Sequence, residues 1–449
     1  MPHRLQRLLL VLFIGYAAVA LTVLYWGVWR SEELLVREDN PRTVEAELRL
    51  VRGRILDRNG VVLAESIPLD ESGRLLRHYP WPDVGAAVGY YSLRYGTAGV
   101  EQGYDDALRG QAAVGLASVW RDLLNQPPLG RDVRLTLDAQ WQQTAAQLLG
   151  DQRGAVVLIS LPDGAIRALV SHPSFDPSQL DQQFEALAQD PTAPLLNRVT
   201  QASYQPGLAL QPFLLAAALD QQLLRLADEV AEATAAVPLN GQTITCASEP
   251  PIPTTWADVL RASCPAPMRG LRLSAADVQQ VLANFGLITP PVSAALPLPL
   301  APAHTAPIAD LEPALLGQEQ LTVTPLQLAL ALGMLAQDGQ PVVPRLVSAV
   351  QDEAGAWQSV AMATPAAATT TAVRPDTAQA IRAAFTLSPD QRLAELATLA
   401  LAGETRHAWY LGLAPATAPR YVVVVVVEEA ADVSAGQAVG RGVLAAVLQ

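Results

Sequence analysis

The longest apolar run opens the chain. Residues 8–29, 22 positions between Arg7 and Arg30, carry no charge. As a helix such a run spans about 33 Å at ~1.5 Å per residue, enough for a bilayer core of ~30 Å. Tyr25, Trp26 and Trp29 gather at the far end, where an aromatic belt belongs. Arg4 and Arg7 precede the run, and Glu32, Glu33, Glu38 and Asp39 follow it. The positive-inside bias predicts a cytoplasmic N-terminus and an extracytoplasmic remainder. A signal peptidase would cut near Ala18-Val19-Ala20. Apolarity continues well past that point, which favours an uncut, single-pass cell-membrane anchor over a cleaved signal peptide.

Beyond residue 30 the periodicity changes. Apolar alternation on both sides of Asn59-Gly60 predicts a β-hairpin over residues 52–64. A short helix suits residues 99–108. Arg134-Leu135-Thr136-Leu137 reads as a strand, and Asp138 as the N-cap of a helix over residues 139–149. Residues 154–159 and 165–170 flank Pro162-Asp163-Gly164 as a second hairpin. Residues 207–224 read as a long buried helix. Thr324-Pro325 opens another, with Thr324 as N-cap and Pro325 at the first helical position. Residues 287–307 and 361–371 are Pro/Ala- and Ala/Thr-rich and read as loops. Residues 421–427, a β-branched run too short for a membrane span, predict a strand buried on both faces. A closing helix is expected over residues 435–448.

Composition narrows the class. The chain has 449 residues, of which 50% are hydrophobic and 16% charged, so two or three domains and a large core are expected. A net charge of −13 argues against nucleic acid as a partner. Five histidines and two cysteines offer no metal-ligand spacing, so no metal or cofactor is expected. Cys246 and Cys264 would face an oxidising compartment, either bridged or as two buried thiols. There is no lysine; all 30 basic residues are arginine.

Several segments in one order resemble the class B penicillin-binding proteins, the elongation or division type that cross-links peptidoglycan. Residues 52–64 resemble the family's Arg-Gly-x-Ile-x-Asp-Arg-x-Gly-x-x-Leu-Ala signature. Gly99-Val100-Glu101, Tyr104 and Leu108-x-Gly110 resemble its Gly-Leu-Glu…Tyr…Leu-x-Gly box. Leu135-Thr136-Leu137-Asp138, Ser171-His172-Pro173-Ser174-Phe175-Asp176-Pro177 and Asn197-Arg198 are similar to the approach to the active site. Gly317-Gln318 with Thr324-Pro325-Leu326-Gln327, and His407-Ala408-Trp409-Tyr410-Leu411-Gly412, resemble later segments. The resemblance covers nearly the whole length. It implies an α/β (α+β) fold: residues 1–30 as cytoplasmic tip and anchor, 31–133 as a β-rich, dimerisation-like pedestal, and 134–449 as a transpeptidase-like domain. In that domain a five-stranded antiparallel sheet is covered by helices.

The resemblance fails where the chemistry would be. Such enzymes use a Ser-x-x-Lys motif, a Ser-x-Asn motif and a Lys-Thr-Gly strand around one cleft. The first motif falls on Leu208 and Gln211. The second falls on Ser263-Cys264-Pro265, with Pro265 in the asparagine position. The third falls near Leu399 and Leu401, with no Lys-Thr-Gly in reach and Glu404 adding negative charge. Leu208, Leu210 and Leu401 would line the old cleft. Drift in a GC-rich genome turns Lys into Arg, but it leaves neither Leu208 nor Gln211. A glutamine takes no proton near neutral pH. A Ser263–His407 pair is the remaining candidate for a nucleophile and base. Asp57-Arg58 reads as a structural ion pair.

The expectation is a catalytically inactive, membrane-anchored scaffold or regulator of peptidoglycan synthesis in elongation or division. By family analogy its partners would be a multi-span membrane peptidoglycan polymerase and other cell-wall synthesis proteins. The alternative is an active D,D-transpeptidase with unusual motifs.

Overall fold

The computed structural model describes residues 2–26, 41–111, 129–304, 306–318, 321–361 and 371–449. Trp29, the acidic residues 32–39 and most of the 361–371 segment lie outside them. Two compact units result: residues 1–51 with 67–76, and residues 52–66 with 77–449.

In the first unit, α1 (Pro2–Leu24) starts with Arg4 and Arg7 and is uncharged from Leu8 on, and Gln6–Leu24 is long and apolar enough to cross a membrane. A short helix, Pro41–Leu48, carries Glu45, which pairs with Arg49 and Arg74.

The second unit begins with the expected hairpin, Ile55–Leu56 against Val62–Pro68. Asp57 does not pair with Arg58. Its carboxylate accepts from the backbone N–H groups of Asn59 (2.7 Å) and Val61 (2.8 Å) and closes the turn, while Arg58 reaches Asp138 and lies over Trp141. A turn this tight leaves two backbone donors to satisfy, and the short Asp side chain does it locally. Ile55–Leu56 pairs parallel with Val133–Leu135, which pairs with Val347–Gln351. Beside them Glu101 is fully buried between two guanidinium groups. Arg52 Nη2 lies 2.9 Å and Arg77 Nε 2.6 Å from its carboxylate, and Tyr79 donates to it. The two segments that resembled separate family signatures therefore meet through one ion-pair cluster.

The main sheet is built from β1 (Gly154–Ser160), β2 (Ala165–His172), β3 (Ala394–Ala402), β4 (Thr405–Ala414) and β5 (Tyr421–Val427). It has six antiparallel strands rather than five, because Thr386–Leu387 adds a short edge to β3; the order is that edge, β3, β4, β5, β1, β2. Side chains alternate along a strand, so the valines of β5 divide between two cores. Val422, Val424 and Val426 join one with α3 (Gln211–Asp220) and α5 (Pro325–Ala336). Val423, Val425 and Val427 join the other with α2 (Ala139–Leu149) and α6 (Ser434–Val447). Each buried valine contributes about 1.5–3 kcal/mol. Gly440 lets α6 approach closely, since a Cβ there would sit 2.0 Å from the Tyr410 ring.

Helix starts follow the expected chemistry. Asp138 caps α2 through Gln140 and Trp141, and Thr324 forms a capping box with Gln327 at α5. The run at 207–224 departs from expectation. It begins as a 3₁₀ turn, Gly207–Leu210, and becomes α3 only at Gln211, ending at Asp220. Pro212 has no N–H to donate, so it fits only the first turn of an α-helix; Gln222 with φ 58° stops the far end.

Candidate functional site

The site is built where the 3₁₀ turn meets β3. Gly207 (φ 54°) presses on the strand: a Cβ there would lie 2.8 Å from Ala400 Cα. Its N–H donates to the Gly317 carbonyl at 2.8 Å, and Gly317 (φ 63°) also leaves no room for a Cβ. Both positions need glycine for conformation and for contact. Together they fix Leu208, which is 3% exposed.

Leu208 borders a shallow cleft of about 120 Å³, lined also by residues 243–247, Thr398, Leu399, Leu401, Arg406, Asp432 and Val433. Of the expected apolar wall, Leu208 and Leu401 line the cleft, and Leu399 joins them. Leu210 is not part of it: two residues further round a three-residue turn, it faces away and is fully buried in the core.

The segment after α4 (Trp256–Ala262) closes one side. Ser263 is the C-cap residue in the left-handed conformation, φ 52°, ψ 54°. Its hydroxyl is buried and has no hydrogen-bond partner. Cys264 is bridged to Cys246, with Cα atoms 4.0 Å apart. Gln211, 1% exposed, donates from Nε2 to the Cys264 carbonyl at 2.8 Å, while its Oε1 is unpartnered. Pro265 leads into a short helix, Ala266–Arg269. The structure therefore brings Leu208, Gln211, Ser263, Leu399 and Leu401 to one neighbourhood.

It does not bring Ser263 to His407. The imidazole packs edge-on against Tyr204, ring centroids 5.5 Å apart, and its Nδ1 accepts from the Glu429 N–H. Burial holds the His407 pKa below its ordinary value. Tyr204 donates to Glu428 at 2.8 Å, as does Arg198, and Arg153 also pairs with that carboxylate. Burial alone would raise Glu428; the hydrogen bonds from Tyr204 and Arg198 outweigh it and hold the group below the usual range. This is an ion-pair support behind β4, not a base aimed at a hydroxyl.

Glu404 sits exposed in the turn between β3 and β4, off the cleft. Arg406, which sequence reasoning missed, lines the cleft instead. Leu401 and Arg406 are directly opposite across the two strands. The available signal was Gly403-Glu404 between two apolar runs, a turn whose placement fixes that register. Among the described residues lining the cleft there is no serine, histidine or lysine. Among the described residues no group of three metal-binding side chains occurs. The cleft can offer a guanidinium, a carboxylate, threonine hydroxyls and apolar surface. It offers no hydroxyl paired with a base.

The penicillin binding protein transpeptidase domain model matches residues 154–449, and the penicillin binding protein A dimerisation domain model matches residues 52–133. The peptidoglycan D,D-transpeptidase PbpA of Mycolicibacterium smegmatis is 31% identical, over 98% of this chain and 96% of its own. That of Mycobacterium tuberculosis is 29% identical, over 100% of this chain and 99% of its own. Penicillin-binding protein A from M. tuberculosis, solved as an imipenem acyl-enzyme complex, superposes with a TM-score of 0.79. It is 28% identical and covers 90% of this chain and 99% of that one. With model matches over both regions and relatives along its full length, the chain belongs to the penicillin-binding protein transpeptidase family of peptidoglycan synthesis.

Proposed function

We propose that this member of the family does not form an acyl-enzyme and acts in peptidoglycan synthesis as a membrane-anchored scaffold or regulator. The observation that carries the reading is the pairing of Leu208 on the cleft with Gln211 locked onto the Cys264 carbonyl. An aliphatic side chain cannot attack a carbonyl, and a glutamine amide cannot take a proton from a neighbour near neutral pH. Loss of a nucleophile costs on the order of a million-fold in a serine hydrolase, because the catalytic group acts as a unit. Thr398, Leu399 and Leu401 stand on β3 where the resemblance would put Lys-Thr-Gly. The charge on this side comes from Arg406, one strand over. On this reading α1 is a single-pass anchor. The pedestal at residues 31–133 would engage other cell-wall synthesis proteins, among them a multi-span membrane peptidoglycan polymerase.

A second reading, an active D,D-transpeptidase with unusual motifs, is favoured by the full-length likeness to D,D-transpeptidases and to a solved acyl-enzyme. It requires a nucleophile other than residue 208. Labelling the full-length protein in detergent with fluorescent penicillin separates the two. The first reading expects no boil-resistant label; covalent label would establish the second. Pull-down from membranes, with and without residues 31–133, tests the partner surface. Undiminished capture after that deletion would remove the pedestal from the proposal.

A further inference from the structure

The residues at 243–247 that wall the cleft belong to a small hairpin, Val237–Leu239 against Gln242–Ile244. Its tip, Asn240-Gly241, has φ of 51° and 78°, the pattern of a tight two-residue turn. Two strands of three residues are marginal without outside support. That support comes from the first strand, where Val237 is buried in the main core and Leu239 packs against it, and from two ends. At one, Cys246 is joined covalently to Cys264, and the Ala247 N–H donates to the Ala262 carbonyl at 2.8 Å. At the other, Gln242 Nε2 donates to the Gly403 carbonyl at 2.7 Å. Arg406 donates to Gln242 Oε1 at 3.3 Å and to the Thr243 carbonyl at 3.2 Å. The hairpin thus runs from the β3–β4 turn to the end of α4, alongside Leu208 and Leu401.

The two attachments differ in kind. One is a covalent bond beside a small buried cluster of Ala233, Val259 and Ala262. The other is a few side-chain hydrogen bonds at a partly exposed arginine, which water can replace, together with the half-buried Leu239 on the core. We propose that the 237–247 hairpin is a hinged cover on the cleft, pivoting at the Cys246–Cys264 bridge and latched by Arg406 and Gln242. When the latch is made, the cleft is the shallow one described above. When it opens, Leu208 and Leu401 gain solvent while the pivot keeps the hairpin attached. The proposal does not depend on whether the protein acylates.

Ile244 lies on the cover and against the cleft, so its δ1 methyl group reports the latch. The test is methyl NMR of the full chain in detergent micelles with a soluble gadolinium chelate, which broadens exposed methyl groups. Arg406→Ala should shift the closed-to-open ratio by roughly tenfold. Broadening of Ile244 should then rise several-fold, and that of Ile159 and Ile166, buried in the sheet, should not. Equal broadening of Ile244 in the variant and the parent overturns the proposal. So does a rise at all three positions, which would mean a loosened sheet rather than a lifted cover. Gln242→Ala removes the bond to the Gly403 carbonyl and the Arg406–Gln242 bond without touching β4, leaving only Arg406 on the Thr243 carbonyl, and it decides the matter alone if Arg406→Ala does not fold.

Discussion

Gln211 and Cys264 are joined by a single hydrogen bond, from the side-chain amide to the backbone carbonyl, at 2.8 Å. The bond ties the first turn of α3 to the residue after Ser263. It uses a donor of the amide on structure and leaves the Oε1 buried and unpaired. An amide in that position cannot take a proton from a neighbouring hydroxyl near neutral pH. The same place holds Leu208 at the cleft edge, so on the proposed reading the two positions that the resemblance assigns to acyl transfer serve structure instead.

Restoring two side chains should not restore chemistry. Leu208→Ser with Gln211→Lys is expected to give no penicillin label, because β3 still presents Thr398, Leu399 and Leu401 to the cleft. The variant should also lose stability. Leu208 is nearly fully buried, and truncating a buried leucine costs about 2–5 kcal/mol. A buried ammonium beside it adds to the cost. Urea unfolding and labelling of the same preparation check both outcomes.

The cluster around Glu101 makes a separate prediction. Glu101→Ala leaves Arg52 and Arg77 buried at 3% and 6% exposure without their shared carboxylate. Breaking one partner out of a buried ion pair costs about 3–5 kcal/mol. Thermal unfolding should shift down markedly, whereas exposed Arg94→Ala, whose pair with Glu185 is solvated, should shift it little.

Much of the frame was legible before any coordinates. Asp138, Thr324 with Pro325, and the valine run at 421–427 are local signals whose physics does not depend on distant parts of the chain. The 207–224 run reads as one helix only if Pro212 is passed over; a proline fits just the first turn of an α-helix, and the helix starts at Gln211. The cleft itself was legible only in part. Leu208, Gln211 and Ser263 could be placed by resemblance. Asn240-Gly241 is a tight-turn signal like Asn59-Gly60, but nothing local says that its hairpin lies beside Leu208. That placement depends on a bridge between residues 18 apart in sequence and on Arg406 from another strand. Likewise, Asp57-Arg58 looks like an ion pair in sequence, but a turn with open N–H groups competes for the carboxylate and wins.

Acid should weaken the fold in two stages. Burial holds His407 and His172 below the ordinary histidine value of 6.5. Both stay neutral in the folded state while the unfolded chain takes protons. Their contribution is complete above about pH 6.5 and is lost as pH falls from there through the lower folded values. Glu428, held below its ordinary 4.5 by Tyr204 and Arg198 against the effect of burial, contributes above that value and is lost as pH falls through its folded pKa. Urea midpoints at about pH 7.5 and 5.5 should therefore fall, and His407→Gln should reduce that difference.

The most direct measurement is the intact mass of the full-length protein after prolonged incubation with excess penicillin G. A chain with Leu208 at the cleft and no lysine anywhere should return an unchanged mass. A stable increase by one β-lactam, mapped to any serine or threonine, would contradict the absence of acylation and make this protein a working transpeptidase.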